Sequence, residues 1–534
     1  MDKADAVLLA VLFIAAFFLW TLPIQGNPLP FGEGDAAWHF AVGDYIGSTG
    51  KTISLLPDYI SYWYYNYNPL LGPGALEYPP PNHINYAFAQ VFGGERFVPV
   101  SIYKAVVSFL GIFTVYFLIR KLYGTLPAFV AGFGMVFSFR DITTYLFGQQ
   151  PTLISFVFIP LVLYPFYHYL TAYYEGVHRP VYLYLTGLLA ASQFLLHIQG
   201  VVVTLLILII FTALMTLKYK KFPLSGKNLM TVAAAIVIFL AISLPFLTIY
   251  IGPTTEGGPV QSMPRSGLSR LLSWGIAPET VSGSYPASFI TFSGSYSYWL
   301  LPFLGLGIIS VVLSAALSRK PRELLMLSWL IGVYVVLHLD VFLGTDFGRI
   351  ARMMLVEGPL FFSIMAIGAF TLPSYLRLAR APEHLMRHLL SGLVVLIILL
   401  TAAPNAYSFL NSAYQGVSRL TPAQHDAAEW MRENLPENIF VFDYGTLTYP
   451  KTRWLLAVSQ RHVLRFEGDL RGSIAKSFEL PTYLLIDYSD LVAVNAQGEI
   501  QQIKSFESAM PANASLIYDE NDIKIYEMGV IKSN

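Results

Sequence analysis

Apolar residues run along this chain in long blocks, without the spaced polar positions of a soluble amphipathic helix. The first block extends from Ala6 to Leu22. Eleven such blocks are long enough to cross a bilayer, near 5–24, 98–119, 125–140, 152–173, 181–198, 201–217, 229–251, 296–318, 323–343, 353–372 and 388–404. A lipid-facing segment must satisfy its own backbone hydrogen bonds, so each block is predicted to be a helix. No small-residue cleavage site follows the first block, which reads as a retained helix and not as a removed signal peptide. A long loop, 25–97, separates the first block from the second. After residue 404 the pattern changes. In "TPAQHDAAEWMRENLPE", Thr421 is an N-cap, Pro422 takes the first helical position and Gln424 completes a capping box. "NIFVFDY" and "TYLLIDYSD" read as strands, and "SLIYDENDIKIYEM" as a hairpin turning at Glu520-Asn521-Asp522. The expected organisation is a transmembrane unit, 1–404, followed by a small α/β domain, 405–534.

Composition fits a polytopic membrane protein: of 534 residues, 55% are hydrophobic and 12% charged, about half the charged fraction of a soluble domain. Net charge is zero, which removes the electrostatic case for a nucleic-acid partner. The absence of cysteine excludes disulfides and cysteine-ligated zinc. The 34 tyrosines suit interfacial belts first and sugar-stacking surfaces second. Fourteen Lys and Arg residues fall in the loops on the N-terminal side of the membrane and seven in the longer opposite loops. That bias predicts a cytoplasmic N-terminus, and an odd number of crossings then makes the C-terminal domain extracytoplasmic, on the outer face of the cell membrane.

Ionisable residues within the apolar blocks gather at one leaflet. Lys104, Arg140, Asp141, His197 and Asp340 lie at predicted outer helix ends, Asp346, Arg349 and Arg352 in an outer loop, and Glu357 one or two turns into the next helix. His168 is the exception, in the inner half of its helix. A proton or ion path would leave polar groups across the whole thickness. This distribution predicts a site at the outer interface above a hydrophobic hull.

The stretch "FGEGDAAWHFAVGDYI", 31–46, begins the first outer loop. Asp35 and His39 are spaced i,i+4 and share a face on a helix. Glu33 and Asp35 flank a glycine that lets the backbone fold closely about a ligand. Two carboxylates so placed can hold a divalent cation, Mg or Mn, through oxygen. Alternatively, one of them can take a proton from an attacking hydroxyl. The plainer reading is a solvated loop beside a membrane. Further along, "EYPPPNHINYAFAQVFGG" leads rigidly into Asn82 and His83, which start a helix expected to lie along the interface.

Several segments together carry a resemblance: the early acidic motif with its histidine, the "YPP" element before the second crossing, "GQQPTLISFVFIPLVLYPF", "GRIARMMLVEGPLFF" and "AAEWMRENLPENIFVFDY". The chain resembles the GT-C superfamily of polytopic, lipid-phosphosugar-dependent glycosyltransferases. Within it, the chain is similar to a family of archaeal and bacterial membrane proteins labelled 6-pyruvoyl-tetrahydropterin synthase-related, although nothing here suggests pterin chemistry. The resemblance implies a GT-C-like bundle of about eleven transmembrane helices with a small extracytoplasmic α/β domain. It implies Asp35 as catalytic base or metal ligand, with Glu33 as its acidic partner. The motif is Glu-Gly-Asp where relatives carry Asp-x-Asp, and many relatives work without metal. Asp141 corresponds to a second acidic group, and Arg349 or Arg352 to an arginine that meets the donor phosphate. His39, His83 and Glu357 complete the expected substrate-binding set. No Trp-Trp-Asp motif of the oligosaccharyltransferase branch occurs, which argues against transfer to asparagine.

The function expected is inverting transfer of a sugar from a polyprenyl-phosphate donor to a glycan, lipid or protein acceptor on the outer face. Tyr62, Trp63, Tyr64 and Tyr65 are candidates to stack on a sugar acceptor. A flippase for a lipid-linked saccharide would instead show internal repeats and mid-membrane charges, and neither is visible. A non-catalytic scaffold would tolerate replacement of Asp35.

Overall fold

The computed structural model describes residues 3–33, 35–50, 59–60, 81–93, 95–224, 226–251, 260–262, 271, 295–343, 345–347, 357–376, 382–413, 418–465, 482–493, 495–508, 510 and 513–529. The chain is mostly helical. α1 (Lys3–Trp20) is followed by two helices of the first loop, α2 (Ala36–Thr49) and α3 (Pro81–Val91). The bundle continues with α4 (Val98–Tyr123), α5 (Thr125–Val136), the short α6 (Phe139–Phe147), α7 (Gln150–Tyr174), α8 (Pro180–Leu196), α9 (Ile198–Tyr219) and α10 (Lys227–Ile251). After a two-stranded sheet of β1 (Val260–Ser262) and β2 (Thr345–Phe347), with α11 (Leu301–Leu317) and α12 (Pro321–Val336) between its strands, come α13 (Glu357–Leu376) and α14 (Glu383–Ile397).

Each predicted apolar block overlaps a helix among the described residues, the block at 353–372 from Glu357 onward, and α3 lies where the Pro-led segment predicted one. Among the described residues, seven helices are long and apolar enough to cross a membrane, and α5 and α8 are apolar but shorter. α14 runs on through two π-helical turns, and the last apolar span extends to Asn411. Small residues let helices approach closely, as in membrane bundles generally. A Cβ on Gly368 of α13 would fall 2.4 Å from the Cα of Gly307 in α11.

The C-terminal part opens with α15 (Pro422–Asn434), whose Thr421–Gln424 capping box forms as predicted. β3 (Phe440–Tyr444), α16 (Tyr449–Ser459), β4 (His462–Arg465), β5 (Thr482–Asp487), α17 (Gln497–Ser508), β6 (Ser515–Glu520) and β7 (Ile523–Gly529) follow. The sheet order is β4-β3-β5-β7-β6, with β3 parallel to β4 and β5, and β7 antiparallel to β5 and β6. The β6–β7 hairpin turns on Asn521 and Asp522, both with positive φ, as a two-residue I′ turn requires. One hydrophobic core joins bundle and sheet. Trp454 of α16 packs 5.6 Å from Phe40 of α2 and 5.4 Å from Phe97, ring centre to ring centre.

Two buried carboxylates, Asp443 and Asp487, lie at the C-terminal ends of β3 and β5, Asp443 one residue before the last. Asp487 accepts from Gln424 at 2.6 Å, Thr446 at 3.0 Å and Ser489. Asp443 accepts from Thr452 at 2.6 Å, and its Oδ1 has no hydrogen-bond partner among the described residues. Burial, reinforced by the neighbouring Asp487, pushes the Asp443 carboxyl up to about 7, against hydroxyl donors and a distant Arg465 that pull it down. Burial also raises Asp487. A folded-state value above the unfolded one means that the native protein binds more protons as pH falls. Stability should therefore fall as pH rises from about 4 to about 7 and level off above that window. Asp443→Asn keeps an oxygen for Thr452 and removes one titrating group. The thermal midpoint of the full chain should drop less between pH 5 and pH 8 in Asp443→Asn than in wild type. Equal drops would show that Asp443 does not titrate in this range.

Candidate active site

The segment leading into α2 is extended and fixed on both sides. Phe31 forms a bridge with Arg419, and the Gly32 amide donates to the Ser418 carbonyl at 3.3 Å. The Gly32 carbonyl accepts from the Trp454 indole at 2.9 Å. The amides of Glu33 and Asp35 donate to the carbonyls of Leu146 and Phe147, the last residues of α6, at 3.0 and 3.2 Å. This contact needs a glycine at 148. Its φ is +79°, and a Cβ there would lie 2.1 Å from the Ala36 amide nitrogen. The acid pair is thus seated where the first loop, the α6–α7 turn and the C-terminal unit meet.

Asp35 is the N-cap residue of α2, yet its side chain makes no cap hydrogen bond. Both Glu33 and Asp35 are half-buried. One turn on, His39 Nδ1 lies 2.8 Å from His83 Nε2, so two residues of the expected substrate-binding set meet across α2 and α3. Trp38 packs edge-on against His83 at 5.3 Å. Burial, and secondarily His39, holds the His83 imidazole well below its usual value, so the ring is neutral at physiological pH.

Asp141 is buried in the first turn of α6, where it accepts from the Ser138 hydroxyl. It faces the start of α13, and a Cβ on Gly358 would come within 2.9 Å of its Oδ2. Asp141 and Phe147 are six residues apart on α6, about 9 Å along the helix axis. Glu357, expected at the substrate, forms an ion pair with Arg140, and both side chains are nearly inaccessible. Arg140 also donates to Ser295 Oγ at 3.0 Å and lies 5.1 Å from the Tyr296 ring. His197 caps α9 by accepting from the Gln199 amide at 3.2 Å. Arg349, Arg352 and the aromatic run 62–65 lie outside the described residues.

Among the described residues, no three His, Asp or Glu side chains are grouped so as to hold a metal ion. A divalent cation held by Glu33 and Asp35 would complete its coordination shell with water or phosphate oxygens.

No protein-family model matches the chain, and no curated protein matches it by sequence. Solved structures do. ArnT from Cupriavidus metallidurans in the apo state is similar with a TM-score of 0.56 at 10% identity over 98% of each chain. The Archaeoglobus fulgidus oligosaccharyltransferase in the apo form is similar with a TM-score of 0.53 at 15% identity, covering 90% of this chain and 70% of that one. The arabinofuranosyltransferase AftD from mycobacteria gives 0.55 at 13% identity over 98% of this chain, which spans 40% of AftD's length. All three are GT-C polytopic glycosyltransferases. The chain has the GT-C fold.

Within this GT-C fold, the far end of α2 is clasped to the C-terminal unit by a group of side chains that sequence reasoning missed. Arg96 forks onto Asp44 through Nε at 3.0 Å and through a second guanidinium nitrogen. It also reaches Glu429 of α15 at 2.8 Å and the Val458 carbonyl at 3.1 Å. Gln90 and Gln460 donate to the same Asp44 carboxylate at 2.9 and 2.7 Å. A cavity of about 420 Å³ opens beside the clasp, lined by Asp44, Arg96, Arg432 and Gln460 among others. Asp44 stood in the quoted acidic stretch, but its partners are 46, 52 and 416 residues away, beyond any local signal. Arg96→Gln should lower the thermal midpoint by an amount equivalent to about 1.5–3 kcal/mol, the worth of hydrogen bonds to a charged group. Arg96→Lys should recover less than half, because an ammonium cannot fork. Full recovery by lysine would mean that charge alone, and not the fork, joins the units.

Proposed function

We propose that this protein is a membrane glycosyltransferase that moves a sugar from a polyprenyl-phosphate donor to an acceptor on the extracytoplasmic face, with inversion. The reading takes the bundle as eleven crossings with a cytoplasmic N-terminus and an extracytoplasmic C-terminal α/β domain. The observation that carries it is the acid pair Glu33–Asp35, half-buried and pinned by α6 and Trp454 within a GT-C fold. Two related complexes support the donor class: ArnT from Cupriavidus metallidurans bound to undecaprenyl phosphate, and the Archaeoglobus fulgidus oligosaccharyltransferase AglB with a dolichol-phosphate.

In this mechanism Asp35 takes the proton of the acceptor hydroxyl as its oxygen attacks the anomeric carbon. The bond from that carbon to the phosphate oxygen breaks, and the polyprenyl phosphate leaves as an anion. A single displacement inverts the anomeric centre. Glu33 lines the same approach. Arg349 or Arg352 steadies the departing phosphate, for which a guanidinium fork is suited. The His39–His83 contact ties α2 to α3, and Asp141 and the Arg140–Glu357 pair hold α6 in place. If Glu33 and Asp35 shared a cation with further ligands, it would offset charge on the phosphate. The test is donor turnover by the purified protein in nanodiscs, followed as release of lipid phosphate from a polyprenyl-phosphate sugar. Wild type should release it in the presence of acceptor and Asp35→Asn should not. Equal release by both would refute the assignment of the base.

A further inference from the structure

Lys104 lies six residues into α4, about 9 Å along its axis, and is 1% exposed. A cation at membrane depth costs about 2.5–3.5 kcal/mol on insertion scales and requires a partner. Among the described residues, no carboxylate pairs with Lys104. The other basic side chains of this region are engaged. Arg419 donates to the carbonyls of Pro23, Asn27 and Leu29. Arg140 is paired with Glu357, and Arg96 with Asp44 and Glu429. The Lys104 ammonium instead lies 5.7 Å from the ring centre of Phe31, two residues before Glu33. One hydroxyl a turn earlier on α4, Ser101 Oγ, is sealed from solvent with no hydrogen-bond partner among the described residues. A buried hydroxyl left unpaired costs about 1–3 kcal/mol. An uncompensated ammonium one turn from an idle O–H donor is what an oxyanion would complete.

We propose that Lys104 is the cationic contact for the phosphate of a lipid-linked ligand bound beside the Glu33–Asp35 segment. The proposal rests on the glycosyltransferase reading and adds to it a phosphate contact on the second crossing, distinct from the late arginines. A phosphate carried on a prenyl chain reaches this depth with its tail still in hydrocarbon. A free phosphate would have to leave water entirely.

The experiment measures binding of undecaprenyl phosphate to the full chain in nanodiscs, for wild type, Lys104→Met, Lys104→Arg and Asp35→Asn. Wild type and Asp35→Asn should bind alike, since Asp35 acts on the acceptor. Lys104→Met should bind at least about tenfold more weakly, and Lys104→Arg within a few-fold of wild type. Removing an unpaired buried charge should also raise the thermal midpoint of Lys104→Met, so weaker binding would not reflect misfolding. Inorganic phosphate at millimolar concentration and phosphatidylglycerol should not compete. Wild-type affinity in Lys104→Met overturns the assignment and leaves the glycosyltransferase reading standing. So does weaker binding accompanied by a lowered midpoint. Competition by inorganic phosphate overturns the lipid-linked ligand. If wild type binds no undecaprenyl phosphate, the glycosyltransferase reading fails as well.

Discussion

Replacing Asp35 with asparagine should abolish sugar transfer while leaving the fold intact. A positioned general base contributes about 10²–10⁴-fold to a rate, so transfer should fall by at least about 10². The expected structural silence follows from the geometry. Asparagine is as good an N-cap as aspartate, and the Asp35 carboxylate does not cap α2 in any case. The backbone contacts that hold the segment, Glu33 to Leu146 and Asp35 to Phe147, involve no side-chain atom of residue 35. The thermal midpoint should therefore move little, and lipid-phosphate binding should be unchanged. Glu33→Gln should cost less, because Glu33 assists at the site without taking the proton. Transfer by Asp35→Asn within threefold of wild type would move the base elsewhere, with Glu33 the next residue to replace. A midpoint lowered in parallel with activity would mean that the carboxylate supports the fold.

Much of this arrangement can be read from the sequence because the physics is local. An apolar run in a bilayer must be helical, so the blocks identify themselves. Thr421, Pro422 and Gln424 declare the start of α15 within four residues. The β6–β7 turn sits on the Asn521-Asp522 pair because those residue types tolerate positive φ. What escapes is pairing across sequence distance. Nothing around Asp44 announces Arg96, and nothing around Glu357 announces Arg140. Nothing in "FGEGD" tells that its amides will meet the end of α6 or that Trp454 will reach Gly32. Burial is equally silent. Asp443 looks like a surface carboxylate on paper, yet it is 1% exposed. β4 is equally hidden, because its short "HVLR" run has no turn signal of its own.

Glu357→Gln should be strongly destabilising. It leaves the Arg140 guanidinium buried without its counter-ion, and breaking a buried pair from one side costs about 3–5 kcal/mol. Activity should fall with it, through a mechanical chain that starts at α13. Glu357 fixes Arg140, Arg140 fixes the first turn of α6 against Ser295 and Tyr296, and the last carbonyls of α6 hold the amides of Glu33 and Asp35. A rigid nine-residue helix carries any tilt at one end to the other. Replacing both partners with apolar residues of similar volume, Arg140→Met with Glu357→Leu, should restore most of the midpoint, as replacing a whole buried pair often does. The double variant also separates two roles for Glu357. If it only positions α6, transfer returns along with the midpoint. If it contacts substrate, the midpoint recovers and transfer stays low with a raised KM. The near-complete burial of Glu357 against Arg140 favours the first outcome, and a stable but inactive double variant would decide for the second.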